Sequence, residues 1–488
     1  MRQPNRHTAG SVLIWTVLVI TILSLAAAQL LHVISSKYNS TLQTATWQEA
    51  LLAAESGVDL ALQELRKSLR PGANQAWAGW DNVPGDGVTS YGLTTIPNAG
   101  LAGTEMRIKI NVDAPLQLRD PNNSWQYYRV RAIGTMPITG PARASDNKQD
   151  TLLRKLSLRS ERFAGTALAP DSFNGPQVSR RVEAIVRPVS AFDQAVMSVG
   201  ALDLNDATIV IDSYDSRDPN KSQPNPDDPT GPGLYDAAER QQNGNIATNG
   251  NLINAGNAYV YGDVSTNAGT ATGVANVTGV QRTDFYQEPI AVAAPSWPAV
   301  NASPMQVLGA TTLTGGAEGS AASRYVLSTI TIAGGEVLNL TGNGAGTTSY
   351  IEIYVTGDIS ATGNSQIIVQ PGVKATIYFA GNVKVSGNGL VNKNNQPADL
   401  FMYGITPANN STSKTVELGG SGNLTAAVYA PDYDVHINNG GTRGTAIGSF
   451  VGKTFKMTGT TDLHYDEALS GGGRISNYKI VSWFEDSR

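Results

Sequence analysis

Residues 12–34 read VLIWTVLVITILSLAAAQLLHVI, and no charged residue occurs between Ser11 and Ser36. About 20 such residues cross the hydrocarbon of a bilayer as a helix, so the run is long enough to span one. Arg2 and Arg6 precede it, and Lys37 is the first charge after it. A basic leader of this kind stays in the cytoplasm, which puts the bulk of the chain outside an inner membrane. The helical pattern continues past the apolar run. No proline occurs from Ser11 to Leu69, and Gly57 is the single glycine. Leu51, Ala54, Val58, Ala61, Leu65 and Leu69 recur at steps of three and four, making one apolar stripe for helix packing. Pro71-Gly72 closes the pattern, as expected just past a helix end. Unbroken from Ser11 to Arg70, this helix is roughly 90 Å long at 1.5 Å per residue. Its half 11–34 is apolar, and its half 35–70 is amphipathic.

Ala9-Gly10 ends the leader, Ser11-Val12-Leu13-Ile14 follows, and Ala53-Ala54-Glu55-Ser56-Gly57 stands further along. In these residues the chain resembles the N-terminus of type IV pilin-like proteins, in particular PilX-type minor pilins and the large pseudopilins. The resemblance covers about the first 70 residues. It implies a prepilin peptidase cutting after Gly10, with methylation of the new Ser11 amine allowed, and other pilin-like subunits as partners. One residue departs from the pattern. Shaft-forming pilins carry a glutamate at the fifth mature position, where this chain has Trp15. That carboxylate would pair with a neighbour's amine in apolar surroundings, so its absence fits a low-copy or tip subunit better than the repeating shaft.

Two other readings compete for the same residues. Val12 to Leu25 could be the apolar region of a secretory signal, with Ala26-Ala27-Ala28 as its small-residue cleavage site. The run could equally be an uncleaved single-span anchor. Helical pattern beyond Ala28 argues against a cut there, because cleavage would leave half a helix with an apolar end.

A net charge of −5 gives no basic stripe, so nucleic acid is not an expected partner. The chain has no cysteine, which excludes disulfides, thiolate metal sites and cysteine nucleophiles. Charged residues make up only 15% while glycine reaches 51 copies, a turn-rich composition that points to β structure. Gly72 to Gly103 reads as loop, with Trp77, Trp80 and Tyr91 free to pack back on the helix. Strands are expected at Met106–Val112, Tyr127–Gly134, Thr151–Leu158 and Ser179–Arg187, where apolar and polar residues alternate. Residues 71–190 therefore form a β-rich unit, and an antiparallel sheet on the amphipathic half-helix is what the resemblance implies for it.

From about residue 191 short apolar triplets alternate with Gly, Asn, Asp and Thr. Ile353-Tyr354-Val355-Thr356-Gly357-Asp358-Ile359 returns as Ile377-Tyr378-Phe379-Ala380-Gly381-Asn382-Val383, at an offset of 377 − 353 = 24 without a gap. A period in the low twenties with several short strands per unit predicts a solenoid, most economically a right-handed parallel β-helix over 191–470. Scattered Gly-rich strands could also build a sandwich. Loops are expected to leave the body near 213–243, where five prolines stand between Ser213 and Gly233, and near 275–305. Residues 471–488 form a tail with a strand at Tyr478–Trp483, which either packs on the helix or caps the solenoid. This region resembles the β-helical domain that follows a PilX-type N-terminus in large bacterial surface proteins, with Leu463-His464-Tyr465-Asp466-Glu467-Ala468-Leu469 as its closing segment.

Chemistry is sparse. Asp432, Asp434 and His436, with Arg443 soon after, share one side of an extended strand, close enough for acid–base work or a metal. The plainer reading makes them outward residues flanking Val435 and Ile437. Asp212, Asp215 and Asp218, or Asp227-Asp228 with Asp236, could hold a structural calcium through loop oxygens; no other cofactor is expected, and no catalytic residue is assigned. The expected function is that of a non-enzymatic minor pilin-like protein. It would sit in the inner membrane through one span, or in a surface filament, and contact a surface polymer, a cell or a partner protein. A membrane-anchored carbohydrate-active enzyme and a self-assembling β-helical scaffold are the alternatives.

Overall fold

The computed structural model describes residues 9–70, 76–82, 89–97, 105–113, 127–137, 177–204, 209–301, 303–317, 322–344, 347–386, 389–407, 413–419 and 424–486. One long N-terminal helix is followed by a largely β protein with parallel sheets. The helix, Ala9–Ser68, is continuous over 60 residues. Val12 to Ile34 are exposed around its whole circumference. Further along, Thr46, Ala50, Ala53, Ala54, Val58, Ala61, Leu62 and Leu65 are buried against a six-stranded antiparallel sheet. Small side chains at the contact let the helix come close. A Cβ built on Gly134 would lie 2.1 Å from the Ala50 carbonyl oxygen and 2.6 Å from the Ala54 nitrogen.

That sheet runs Trp80–Asn82, Thr89–Pro97, Glu105–Val112, Tyr128–Pro137, Gln177–Ser190 and Ile475–Asp486 in spatial order. Two of these strands fall inside the stretch 72–103 that reads as loop. A register shift between Tyr91 and Thr94 breaks the alternation that would have announced the longer one. The candidate Thr151–Leu158 lies outside the described residues. The last strand pairs with Gln177–Ser190 from Ile475↔Ser190 to Asp486↔Arg181. The chain from 191 to 474 is thus inserted between two neighbouring strands of one sheet, entering and leaving at the same place. Ala191 N–H donates to the Arg474 carbonyl over 2.8 Å, and Ser190 Oγ to that of Gly472 over 2.8 Å.

The inserted part is a stack of parallel layers. The 24-residue echo is one step of it: Ile353↔Ile377, Tyr354↔Tyr378 and Val355↔Phe379 pair in register, and Ile377↔Met402 continues the column. Asp358 and Asn382 mark a shared corner, where Asn382 N–H donates to Asp358 Oδ1 over 2.7 Å and Thr415 N–H to Asn382 Oδ1 over 3.0 Å. The same corner recurs at Gly244-Asn245, Gly262-Asp263 and Gly279: Asp263 N–H donates to Asn245 Oδ1 over 2.7 Å and Val280 N–H to Asp263 Oδ1 over 2.8 Å. Inward Ile, Val, Leu and Phe from all the layers make one apolar core.

The order of layers differs from the order of the chain. Residues 450–466 pair with 196–214 (Phe450↔Val196, Phe455↔Leu202, His464↔Asp212), so the first layer in sequence stacks on the last. Val196–Ser198 then pairs with Ile246–Thr248, and Val264–Ser265 follows. From that end the segment 287–301 runs back along the stack to its other end. Gln287 N–H donates to Asn249 Oδ1 over 2.9 Å, and Ile290 N–H to the Tyr429 hydroxyl over 2.7 Å. Val292 N–H donates to Thr406 Oγ1 over 3.0 Å, and Val300 N–H to the Arg324 carbonyl over 2.7 Å. Trp297 packs edge-on against Tyr378, with ring centroids 5.4 Å apart. This strap also meets the helical unit, where Arg70 lies 2.5 Å from Glu288 and Gln287 Nε2 donates to Ser476 Oγ over 2.9 Å.

Candidate functional site

Three places hold the residues singled out from sequence. The first is the helix. Gly10 and Ser11 lie within its first turn, and beyond them an uncharged, mostly apolar surface faces outward for more than 20 residues, from Val12 to Ile34. By length and composition this segment is a candidate membrane anchor or signal sequence. In the packing stripe, Ala54, Val58, Ala61 and Leu65 are buried, while Leu51 and Leu69 are half-buried at the margin. Ala50, Ala53 and Gly57 belong to the same contact. A Cβ on Gly57 would lie 2.8 Å from Ala132 Cβ. Reading for large apolar side chains passes over such residues, because close approach selects small ones. The buried Arg180 guanidinium closes one end of this contact by lying 3.7 Å from the centre of the Trp47 ring.

The second place is the strand carrying Asp432, Asp434 and His436. These three are half-buried and alternate with Tyr433, Val435 and Ile437, which point into the core. Each outward group is engaged by a hydroxyl of a neighbouring layer. Thr406 Oγ1 donates to Asp432 Oδ2 over 2.7 Å, and Thr454 Oγ1 to Asp434 Oδ1 over 2.7 Å, while Ser413 Oγ donates to Asp434 Oδ2. His436 Nε2 sits 2.9 Å from Thr458 Oγ1. Burial, then the nearby Lys456 ammonium, hold the imidazole below its usual range against a weaker opposing pull from Glu417. The neutral ring is therefore the resident form at neutral pH. Side chains of 439–443, Arg443 included, lie outside the described residues. The arrangement is a set of cross-layer ties, each acid meeting a different hydroxyl.

The third place is where residues 215–243 fold over the layer 210–214. Asp212 is fully buried and accepts from His464 Nδ1 over 2.5 Å and from the Tyr235 hydroxyl over 2.8 Å. Arg240 Nε stands 3.0 Å from Asp212 Oδ2 as an ion pair without hydrogen-bond alignment. The Tyr235 ring stacks on the imidazole at 3.5 Å. The other acids of the calcium expectation take separate partners. Asp215 forms a fork with Arg217 (2.8 and 3.0 Å), Asp218 Oδ1 accepts from Asn220 N–H over 3.0 Å, and Asp236 Oδ1 caps a short 3-10 helix at Ala238 N–H over 2.8 Å. Asp228 Oδ1 accepts from Thr230 Oγ1 over 3.3 Å, and the Asp227 amide donates to Asn225. Among the described residues no three His, Asp or Glu side chains converge as metal ligands. The Asp212–His464 pair is invisible in sequence because its members are 252 positions apart; only the stacking of the last layer on the first brings them together.

Residues 299–471 match a family described as a domain of unknown function, DUF7305. That span runs from the end of the strap to the closing 3-10 turn Glu467–Gly471 and covers well under half of the chain. No curated protein matches the chain. Among solved structures, the competence-associated pilin ComZ from Thermus thermophilus aligns over 90% of this chain and 97% of its own, at 11% identity and a TM-score of 0.24. A likeness that slight carries no argument about fold or role.

Proposed function

We propose that the chain is a pilin-like, membrane-inserted minor subunit that displays its inserted β stack, a right-handed parallel β-helix, outside the inner membrane for assembly, adhesion or partner binding. The observation that carries this reading is the division of one continuous helix. Its first half is apolar and exposed all round, and its second half is clamped to a sheet through small residues. An isolated anchor needs only the first half; a rigid extension that ties the outer body to the membrane segment suits a subunit inserted into an assembly of similar helices. The Ala9-Gly10-Ser11 leader resemblance adds peptidase processing, and Trp15 in place of an acid adds low copy number. We read the protein as non-enzymatic, with its surface contacts made by the β stack.

Membership in a filament is tested by shearing native cells and probing the released fraction. The chain is expected there at low copy, and replacing Gly10 with a bulky residue should keep it in the membrane fraction. Absence of the unaltered chain from sheared filaments would overturn filament membership.

A further inference from the structure

Residues 215–243 leave the stack after Tyr214 and return before Ile246, covering one outward face of the layer 210–214 and its neighbour 463–466. Inward positions of these two strands, Ile211, Leu463 and Tyr465, belong to the apolar core. The outward positions, Asp212, Tyr214, His464 and Asp466, would face water without the insert; all are buried beneath it. Asp212 and His464 satisfy one another. Asp466 and Tyr214, which face each other in the parallel register, do not. Asp466 Oδ1 accepts from Ser216 N–H over 3.1 Å and from Ala468 N–H over 3.0 Å, but its Oδ2 has no partner, and neither has the Tyr214 hydroxyl. A fully buried carboxylate with one bare oxygen beside an unpaired phenol is costly when charged. A neutral carboxyl in the same place costs far less.

We propose that the insert 215–243 is a proton-operated latch, closed over the stack while Asp466 is protonated and loosened when it ionises. The tie is direct, because Ser216, the second residue of the insert, is bound to this carboxyl through its amide. Surrounding charges do not rescue the ionised form. Asp215 adds a like charge, although its own fork with Arg217 absorbs that cation. Glu467 is occupied by Ser213 and Asn243 at 2.9 and 2.8 Å, and Arg217 also donates to its carbonyl. Arg240 and His464 face Asp212, with Tyr235 between them. Desolvation, the largest influence, pushes the Asp466 carboxyl up to about 6 against the opposing pull of the hydrogen bonds from Ser216 and Ala468, and Asp215 adds a smaller push upward. A carboxyl raised in the closed state favours closure fully below its open-state value near 4. That contribution is lost as pH rises through 6.

The readout is hydrogen exchange, corrected for intrinsic rates, of amides that exist only in the closed insert. These are Gln223 and Leu234, which bond each other's carbonyls over 2.9 and 2.7 Å, and Gly233, which donates to the Ser216 carbonyl over 2.7 Å. In the full chain their protection should fall about tenfold from pH 5 to pH 8, the part that remains above pH 5 of a total loss of about a hundredfold. Asp466→Asn keeps both accepted hydrogen bonds and should abolish the dependence. Asp215→Asn removes the like charge and should move the midpoint to lower pH. Protection flat with pH in the unaltered chain would overturn the latch. So would an unchanged fall in Asp466→Asn, or, should that variant not fold, an unmoved midpoint in Asp215→Asn.

Discussion

Gly134→Ala is expected to separate the helix from its sheet, at a cost above about 4 kcal/mol, a size reached by few single substitutions. The new Cβ would stand 2.1 Å from the Ala50 oxygen and 2.6 Å from the Ala54 nitrogen, both main-chain atoms of the helix. No rotamer change relieves such a clash, so either the strand Tyr128–Pro137 or the helix must move back by more than an ångström. Either movement opens the contact of Ala53, Ala54, Val58 and Ala61 with Ile108, Ile110 and Ala132, all of them buried. Partial withdrawal leaves cavities that small side chains cannot fill. The effect should be local. Hydrogen exchange in detergent should show loss of protection across Glu105–Val112 and Tyr128–Pro137, with Ser349–Val355 and Val373–Phe379 in the stack unchanged. Gly472→Ala, with no atom within 4 Å of the added carbon, is the control and should leave both regions as they were.

The second large effect is expected inside the stack. A Cβ on Gly381 would lie 2.3 Å from both the carbonyl carbon and oxygen of Gly357, the matching corner one layer away. The layers are joined there by Asn382 N–H to Asp358 Oδ1 and by Ile359 N–H to the Asn382 carbonyl over 2.8 Å, so a spread at the corner strains the ladder on both sides. Gly381→Ala should cost about 3 kcal/mol or more, the range of overpacking that cannot relax. It should weaken exchange protection in Val373–Phe379 and Ser349–Val355 together, because neighbouring layers hold one another. Protection lost in one of the two strands alone would contradict the shared corner.

How far the fold could be read from the chain depended on whether its signals are local. The helix was expected over Ser11–Arg70 and spans Ala9–Ser68, since its start, period and proline stop are all within a few residues of each other. The step between 353 and 377 was legible because identical residue classes recur without a gap, and parallel stacking puts like on like. The order of layers left no such trace. That residues 196–214 stack on 450–466 depends on the strap 287–301 carrying the chain from one end of the stack to the other, and proline and alanine in the strap read only as loop. The partner of the C-terminal strand was equally hidden: Ile480 and Trp483 announce a strand, but pairing with Val186 and Ala184 joins positions nearly 300 apart. Among functional candidates, sequence favoured Asp432, Asp434 and His436 because they are adjacent. A polar cluster around the buried Asp212 and His464 instead draws in Tyr235 and Arg240, a grouping that proximity in sequence could not suggest.

The central claim, that the helix is the processed, membrane-inserted stem of a pilin-like subunit, is tested most directly by the mass of the N-terminal peptide recovered from native membranes. A peptide beginning at Ser11, with or without one added methyl, is the expected result. A peptide beginning at Gln29 would make the apolar run a secretory signal and remove the stem, and an intact leader from Met1 would leave an anchored β protein outside any filament; either result contradicts the account.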